Sequence, residues 1–86
     1  MSAVQDAKDS IGQIMGQLEL RDHSLRMTIY TIEKLEDLSK SLIEGSNSGW
    51  DNDVLSALGT AKDALLKSSN AMYASIDSLK KCRDQL

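Results

Sequence analysis

Apolar residues recur every three or four positions along this chain, in two long runs separated by a short polar segment. In the first run Val4, Ala7, Ile11, Ile14, Leu18, Leu25, Ile32, Leu35 and Leu42 fall on one heptad stripe, interrupted by Arg21, Thr28 and Ser39. In the second run Val54, Leu58, Ala61, Leu65, Met72, Leu79, Cys82 and Leu86 do the same, interrupted by Ser68 and Ser75. There is no proline to break either run. The pattern predicts helices over residues 3–44 and 52–84 and a turn over 45–51, all within a single unit spanning 1–86. At 1.5 Å per residue such helices span roughly 60 and 50 Å, close enough in length to fold back on each other. The expected fold is all-α, an antiparallel two-helix hairpin that dimerises into a four-helix-type bundle.

The turn region reads Gly45-Ser46-Asn47-Ser48-Gly49-Trp50-Asp51-Asn52-Asp53. Gly45 suits the left-handed position just past a helix end. Asp51 suits the N-cap of the second helix, which makes Trp50 the residue before the cap and Leu55 the fourth helical residue. That is the spacing of a hydrophobic staple. Gly12 and Gly16 interrupt the first helix at four-residue spacing. They are either tolerated or leave room for a closely packed neighbour helix.

A second apolar set lies off these stripes: Met15, Leu20, Met27, Ile29, Tyr30 and Ile43 in the first run, and Leu55, Leu66, Tyr73 and Ile76 in the second. Two helices cannot cover both sets at once, so the second is expected to bind a partner. Composition sharpens this expectation. Aromatic residues make up only 3% of the 86 positions and phenylalanine is absent, so bulky core pieces are scarce. A single cysteine, Cys82, cannot form an internal disulfide. Association is the remaining route to stability for so small a chain.

Candidate chemistry is thin. His23 sits mid-helix without a nucleophile, and Cys82 reads as a small residue on a helix stripe. No catalytic, cofactor or metal site is expected. Lysine and arginine are scattered and the net charge is −3, which argues against a nucleic-acid surface. No apolar run approaches a membrane span, so membrane insertion is not expected. One pairing is more pointed. Tyr73 and Asp77 stand four residues apart on one helix face, an aromatic anchor beside a carboxylate.

Taken with the hairpin length, Trp50 in the turn and Tyr73-x-x-x-Asp77 in the second helix, the chain resembles the WXG-type (ESX-like) proteins of bacterial type VII secretion. Where that family carries Trp-x-Gly, this chain reads Trp50-Asp51-Asn52, which points to a divergent branch. It is similar to the small helical accessory proteins that accompany LXG toxins. The resemblance implies a non-enzymatic targeting or chaperone partner that binds the helical N-terminal domain of such a toxin, or a second small hairpin protein. It also implies indirect engagement of the secretion ATPase. The expected location is the bacterial cytoplasm, and whether the chain itself leaves through the type VII route is left open by the resemblance. Tyr73 and Asp77 would belong to the export signal, and Trp50, Leu66, Ile76, Met15 and Met27 would contribute to partner binding. Two other readings remain open. One is a self-assembling hairpin subunit like the needle proteins of type III secretion, although those carry a proline-containing turn. The other is a small helical regulatory binder, and a homodimer is compatible with each.

Overall fold

A computed structural model describes the backbone of residues 2–43 and 50–86 and the side chains of residues 2–41 and 52–86. Helix α1 spans Ala3–Ile43 and helix α2 spans Trp50–Gln85. Polar contacts between the helices run in opposite senses along the two sequences. Asp22 meets Ser69, and Glu36 meets Lys62. The pair is therefore antiparallel, a rod 67 Å long and about 14 by 13 Å across its backbone.

Local signals set where α1 begins. The Ser2 hydroxyl accepts a hydrogen bond from the Gln5 backbone N–H at 3.1 Å, the N-cap arrangement in which a serine oxygen satisfies an orphan helical donor. Ser2-x-x-Gln5 is also the sequence form of a capping box, but the Gln5 side chain reaches forward to Asp9 at 2.9 Å instead of back to the cap. Helix α2 starts at Trp50, two residues ahead of the expected start, so Asp51 is not the N-cap and Trp50 does not precede one. Asp53 then lies in the first turn, where negative charge is favoured. Gly45, Glu44 and the capping residues ahead of Trp50 lie outside the described residues, as do the side chains of Trp50 and Asp51.

The seam between the helices differs from the expected stripe by one line of residues on each helix. In α1 the covered positions alternate by three and four: Ile11, Met15, Leu18, Asp22, Leu25, Ile29, Ile32, Glu36 and Ser39. In α2 they are Leu55, Leu58, Lys62, Leu65, Ser69, Met72, Ile76, Leu79 and Arg83. Half of each expected stripe is correct, namely the line through Ile11, Leu18, Leu25 and Ile32 and the line through Leu58, Leu65, Met72 and Leu79. The other half is displaced. Met15 and Ile29, expected on an outer partner face, are the most buried apolar side chains at 8% exposure each. Ile14 and Leu35, expected in the seam, are 46% and 45% exposed. Ile76, also expected outside, is half-buried.

The reason lies in what faces each line. The α1 line through Met15, Asp22, Ile29 and Glu36 looks no more apolar than the line through Ile14, Arg21, Thr28 and Leu35. Across the seam, however, Leu55 and Ile76 carry more apolar bulk than Val54, Ala61 and Cys82, the apolar members of the alternative α2 line. Burial follows bulk. The polar members of the chosen lines also match in kind, a carboxylate against a hydroxyl at Asp22–Ser69 and an ion pair at Glu36–Lys62.

The seam is thin. Among the described residues no side chain is fully buried, and buried polar residues (Asp22, Ser39, Ser69) outnumber the buried apolar ones. The chain exposes 6334 Å². A compact monomer of 9.4 kDa would expose about 5,000 Å² by the usual size scaling.

Candidate functional site

The register that sets Asp22 against Ser69 gives the hairpin two unlike flanks. On one flank, Asp22, 5% exposed, is the hub. One of its carboxylate oxygens accepts from the Ser69 hydroxyl at 2.5 Å, and the other accepts from Arg26 Nε at 2.9 Å. The Ser69 hydrogen bond is the main cause of a carboxyl held below the ordinary aspartate range. Loss of hydration opposes that shift, and Arg26 reinforces it. The Arg26 guanidinium in turn lies 5.0 Å from the centre of the Tyr73 ring. Glu19, Asp22, His23, Arg26, Tyr73 and Ile76 together line a shallow depression of about 220 Å³. A second one, lined by Arg26, Ile29, Glu33, Leu66, Ser69 and Asn70, continues along the same flank.

This flank holds the sequence-predicted pair. Tyr73 is 51% exposed, one heptad from Leu66 at 44%. Asp77 stands one turn beyond Tyr73, exposed, in a 3.1 Å ion pair with Lys81. Tyr73, Leu66 and Asp77 therefore share one accessible surface. The other expected contacts do not join them. Met15 is in the seam, Ile76 is largely so, and Met27 is exposed at 54% on the side of α1 away from α2. The Trp50 side chain lies outside the described residues.

The opposite flank was missed in the sequence because half of it was read as seam. In α1 it runs through Ala7, Ser10, Ile14, Gln17, Arg21, Ser24, Thr28, Thr31, Leu35 and Leu38. In α2 it runs through Ala57, Ala61, Ala64, Ser68, Ala71, Ser75, Ser78 and Cys82, small residues that lie between Val54 and Gln85 on the same two heptad lines. The two helices meet here in an open groove of about 540 Å³ lined by Ile14, Leu18, Ala74, Ser75, Ser78 and Leu79. Arg21 is the sole charged residue on these two stripes. A signal in the sequence could have separated this stripe from the core: a seam needs bulk, and Ala-Ala-Ala-Ser-Ala-Ser-Ser does not supply it.

Gly12, Gly16 and Gly59 serve no close approach within the hairpin, since a Cβ at any of them would meet nothing within 4 Å. Among the described residues no cluster of three metal-ligating side chains occurs, and no helix is long and apolar enough to cross a membrane. Comparison with protein-family models, with curated proteins and with solved structures finds no match to this chain.

Proposed function

We propose that this chain is a non-catalytic helical adaptor of bacterial type VII secretion, binding the helical N-terminal domain of an LXG-type toxin and presenting Tyr73 and Asp77 as part of an export signal. The observation that carries the reading is the Tyr73 flank. There a half-exposed aromatic ring, a half-exposed leucine one heptad away and an exposed carboxylate stand on one face of a rigid helix. A bound helix would cover the apolar pair, and the carboxylate would fix its orientation. The Arg26 guanidinium over the ring holds the tyrosine in place before a partner arrives, which lowers the entropy lost on docking.

The adaptor would meet its cargo in the cytoplasm and engage the secretion ATPase only through the complex. Co-expression with the toxin domain, affinity capture and an export assay test this. Tyr73→Ala and Asp77→Ala should each reduce export of the toxin while helicity by circular dichroism stays unchanged. Tyr73→Ala and Leu66→Ala should also weaken capture. Undiminished export by both single variants would remove the signal assignment, and undiminished capture by Tyr73→Ala/Leu66→Ala would remove the docking face.

A further inference from the structure

We infer that the helix which covers the Tyr73 flank is cationic, an apolar line bordered by lysines or arginines and seated along Tyr73, Leu66 and Tyr30. The inference rests on the reading of that flank as a docking face and adds the chemistry of what it takes. Tyr30 extends the apolar pair onto α1, where it is 56% exposed. With Asp22 against Ser69 in an antiparallel pair, Tyr73 and Leu66 stand level with Leu18 and Leu25 of α1. The three anchors therefore succeed one another over about 18 Å, just over three helical turns. Two belong to α2 and one to α1, so a helix lying along the groove between them meets all three.

Charge selects the occupant. Glu19 and Asp77 border one end of this segment, and Glu33 and Asp63 border the other, one carboxylate from each helix. Among the described residues Glu19, Glu33 and Asp63 pair with no cation, and Asp77 has only the exposed Lys81. An exposed pair of that kind is weak. Lys62, whose pKa Glu33 and Asp63 help to raise, is bound to Glu36. Arg26, the cation that stands among the four carboxylates, is bound by Asp22. A second copy of this flank, or any acidic helix, would set carboxylate against carboxylate. A helix with lysine or arginine on both sides of its apolar line would meet a carboxylate at each corner. The two rings favour the same partner. Arg26 lies over Tyr73, and the Lys34 ammonium lies 4.7 Å from the centre of the Tyr30 ring, so each ring already holds a cation.

Glycine supplies the room. Gly16 stands on this flank at the Glu19 end of the segment and Gly59 at the Glu33 end. A Cβ at either would meet nothing within 4 Å, so the bare backbone serves no packing inside the hairpin. Each glycine also costs helix stability relative to alanine. What the two positions do provide is close approach for a neighbouring helix at both ends of the groove.

Fluorescence anisotropy with two labelled synthetic peptides, each about three heptads long, tests the charge. One carries leucine at a and d with lysine at e and g, and its twin carries glutamate at e and g. Like charges keep either peptide from pairing with itself. The full chain should bind the lysine peptide at least about tenfold more tightly than the glutamate one, and added salt should narrow the difference. Glu19→Gln with Glu33→Gln should weaken lysine-peptide binding about fivefold. Asp6→Asn with Asp53→Asn, on the outer surface of each helix, should leave it unchanged. Gly16→Ala with Gly59→Ala should weaken it while raising the urea midpoint of the chain. Equal binding of the two peptides, equal losses in the two charge variants, or binding of neither peptide overturns the inference. Capture of the toxin domain judges the docking reading separately. That reading survives such a result if Tyr73→Ala/Leu66→Ala still weakens capture, and falls with it if capture is undiminished.

Discussion

Met15 and Ile14 are neighbours in sequence, similar in size, and lie on opposite sides of the question of where the seam runs. Replacing each with alanine measures it. Met15 is 8% exposed, and a buried methionine cut to alanine costs about 2–5 kcal/mol. The seam here is a single layer open on both sides, so neighbours can close part of the gap. The low end, about 2 kcal/mol, is the expected loss. Ile14 is 46% exposed. About half of a full isoleucine burial is at stake, near 1 kcal/mol, and the better helix propensity of alanine returns roughly 0.4. The net expectation is about 0.5 kcal/mol.

Urea unfolding followed by far-ultraviolet circular dichroism reads both. In a domain of this size about 1.5 kcal/mol between the variants corresponds to several degrees in Tm, enough to resolve. If Ile14→Ala costs as much as Met15→Ala, the seam runs along the other line and the account of both flanks is wrong.

Four further outcomes follow from the same geometry. Because Ser69, with Arg26, holds the Asp22 carboxyl below its unfolded value, Asp22 contributes stability above the unfolded aspartate pKa and loses it as pH falls through the folded one. Asp22→Asn should therefore flatten the acid limb of stability below about pH 4. Lys62 behaves in the opposite sense. Its hydrogen bond to Glu36 raises its pKa, so its contribution is complete below the unfolded lysine value and fades as pH climbs through the folded one; Lys62→Met should remove that alkaline loss in a Tm-versus-pH series. Gly12→Ala and Gly16→Ala should each raise stability by about 0.5–1 kcal/mol, since the added methyl meets nothing and helix propensity improves; a fall in urea midpoint would show a contact that the hairpin lacks. Ser2→Ala should cost about 1 kcal/mol and fray the first turn, visible as faster amide exchange at Gln5.

The two helices and their antiparallel return were legible because periodicity over ten turns without proline leaves no other regular structure. The phase of the seam was only half legible. Each helix carries three adjacent heptad lines, and the middle one, through Leu18 and Leu25 or through Leu65 and Met72, belongs to the core whichever neighbour joins it. Choosing between Met15 and Ile14 as the neighbour needs knowledge of the opposing helix. A single helix read alone does not contain that information. The decisive facts are pairwise, Asp22 against Ser69 and Glu36 against Lys62, across 47 and 26 residues of sequence. Tyr73 and Asp77 were placed correctly on an accessible face because i, i+4 spacing is local to one helix. Met15 and Ile76 were misplaced for the reason that misphased the seam.

The polar seam also explains why the hairpin keeps one register yet remains weak on its own. An all-apolar seam would bury more and hold tighter, but a heptad repeat lets one helix slide past the other by a whole repeat at little loss. Asp22 and Ser69 remove that freedom. A slip by one heptad in one direction would set Asp22 against Ile76, and in the other would give it Lys62 but leave Glu36 against Leu55, so either way one seam carboxylate loses its partner. The same residues reduce the apolar area the pair can hide. Register is thus fixed within the chain by polar groups, and the apolar area they displace lowers the stability of the hairpin. Replacing both members, Asp22→Leu with Ser69→Leu, separates the two effects. The double variant should unfold at higher urea than the native chain, and paramagnetic-label distances between α1 and α2 should broaden as slipped registers become populated. A variant that is both more stable and still confined to one register would show that the Asp22–Ser69 contact has no part in the alignment, which then rests on bulk and on the Glu36–Lys62 pair.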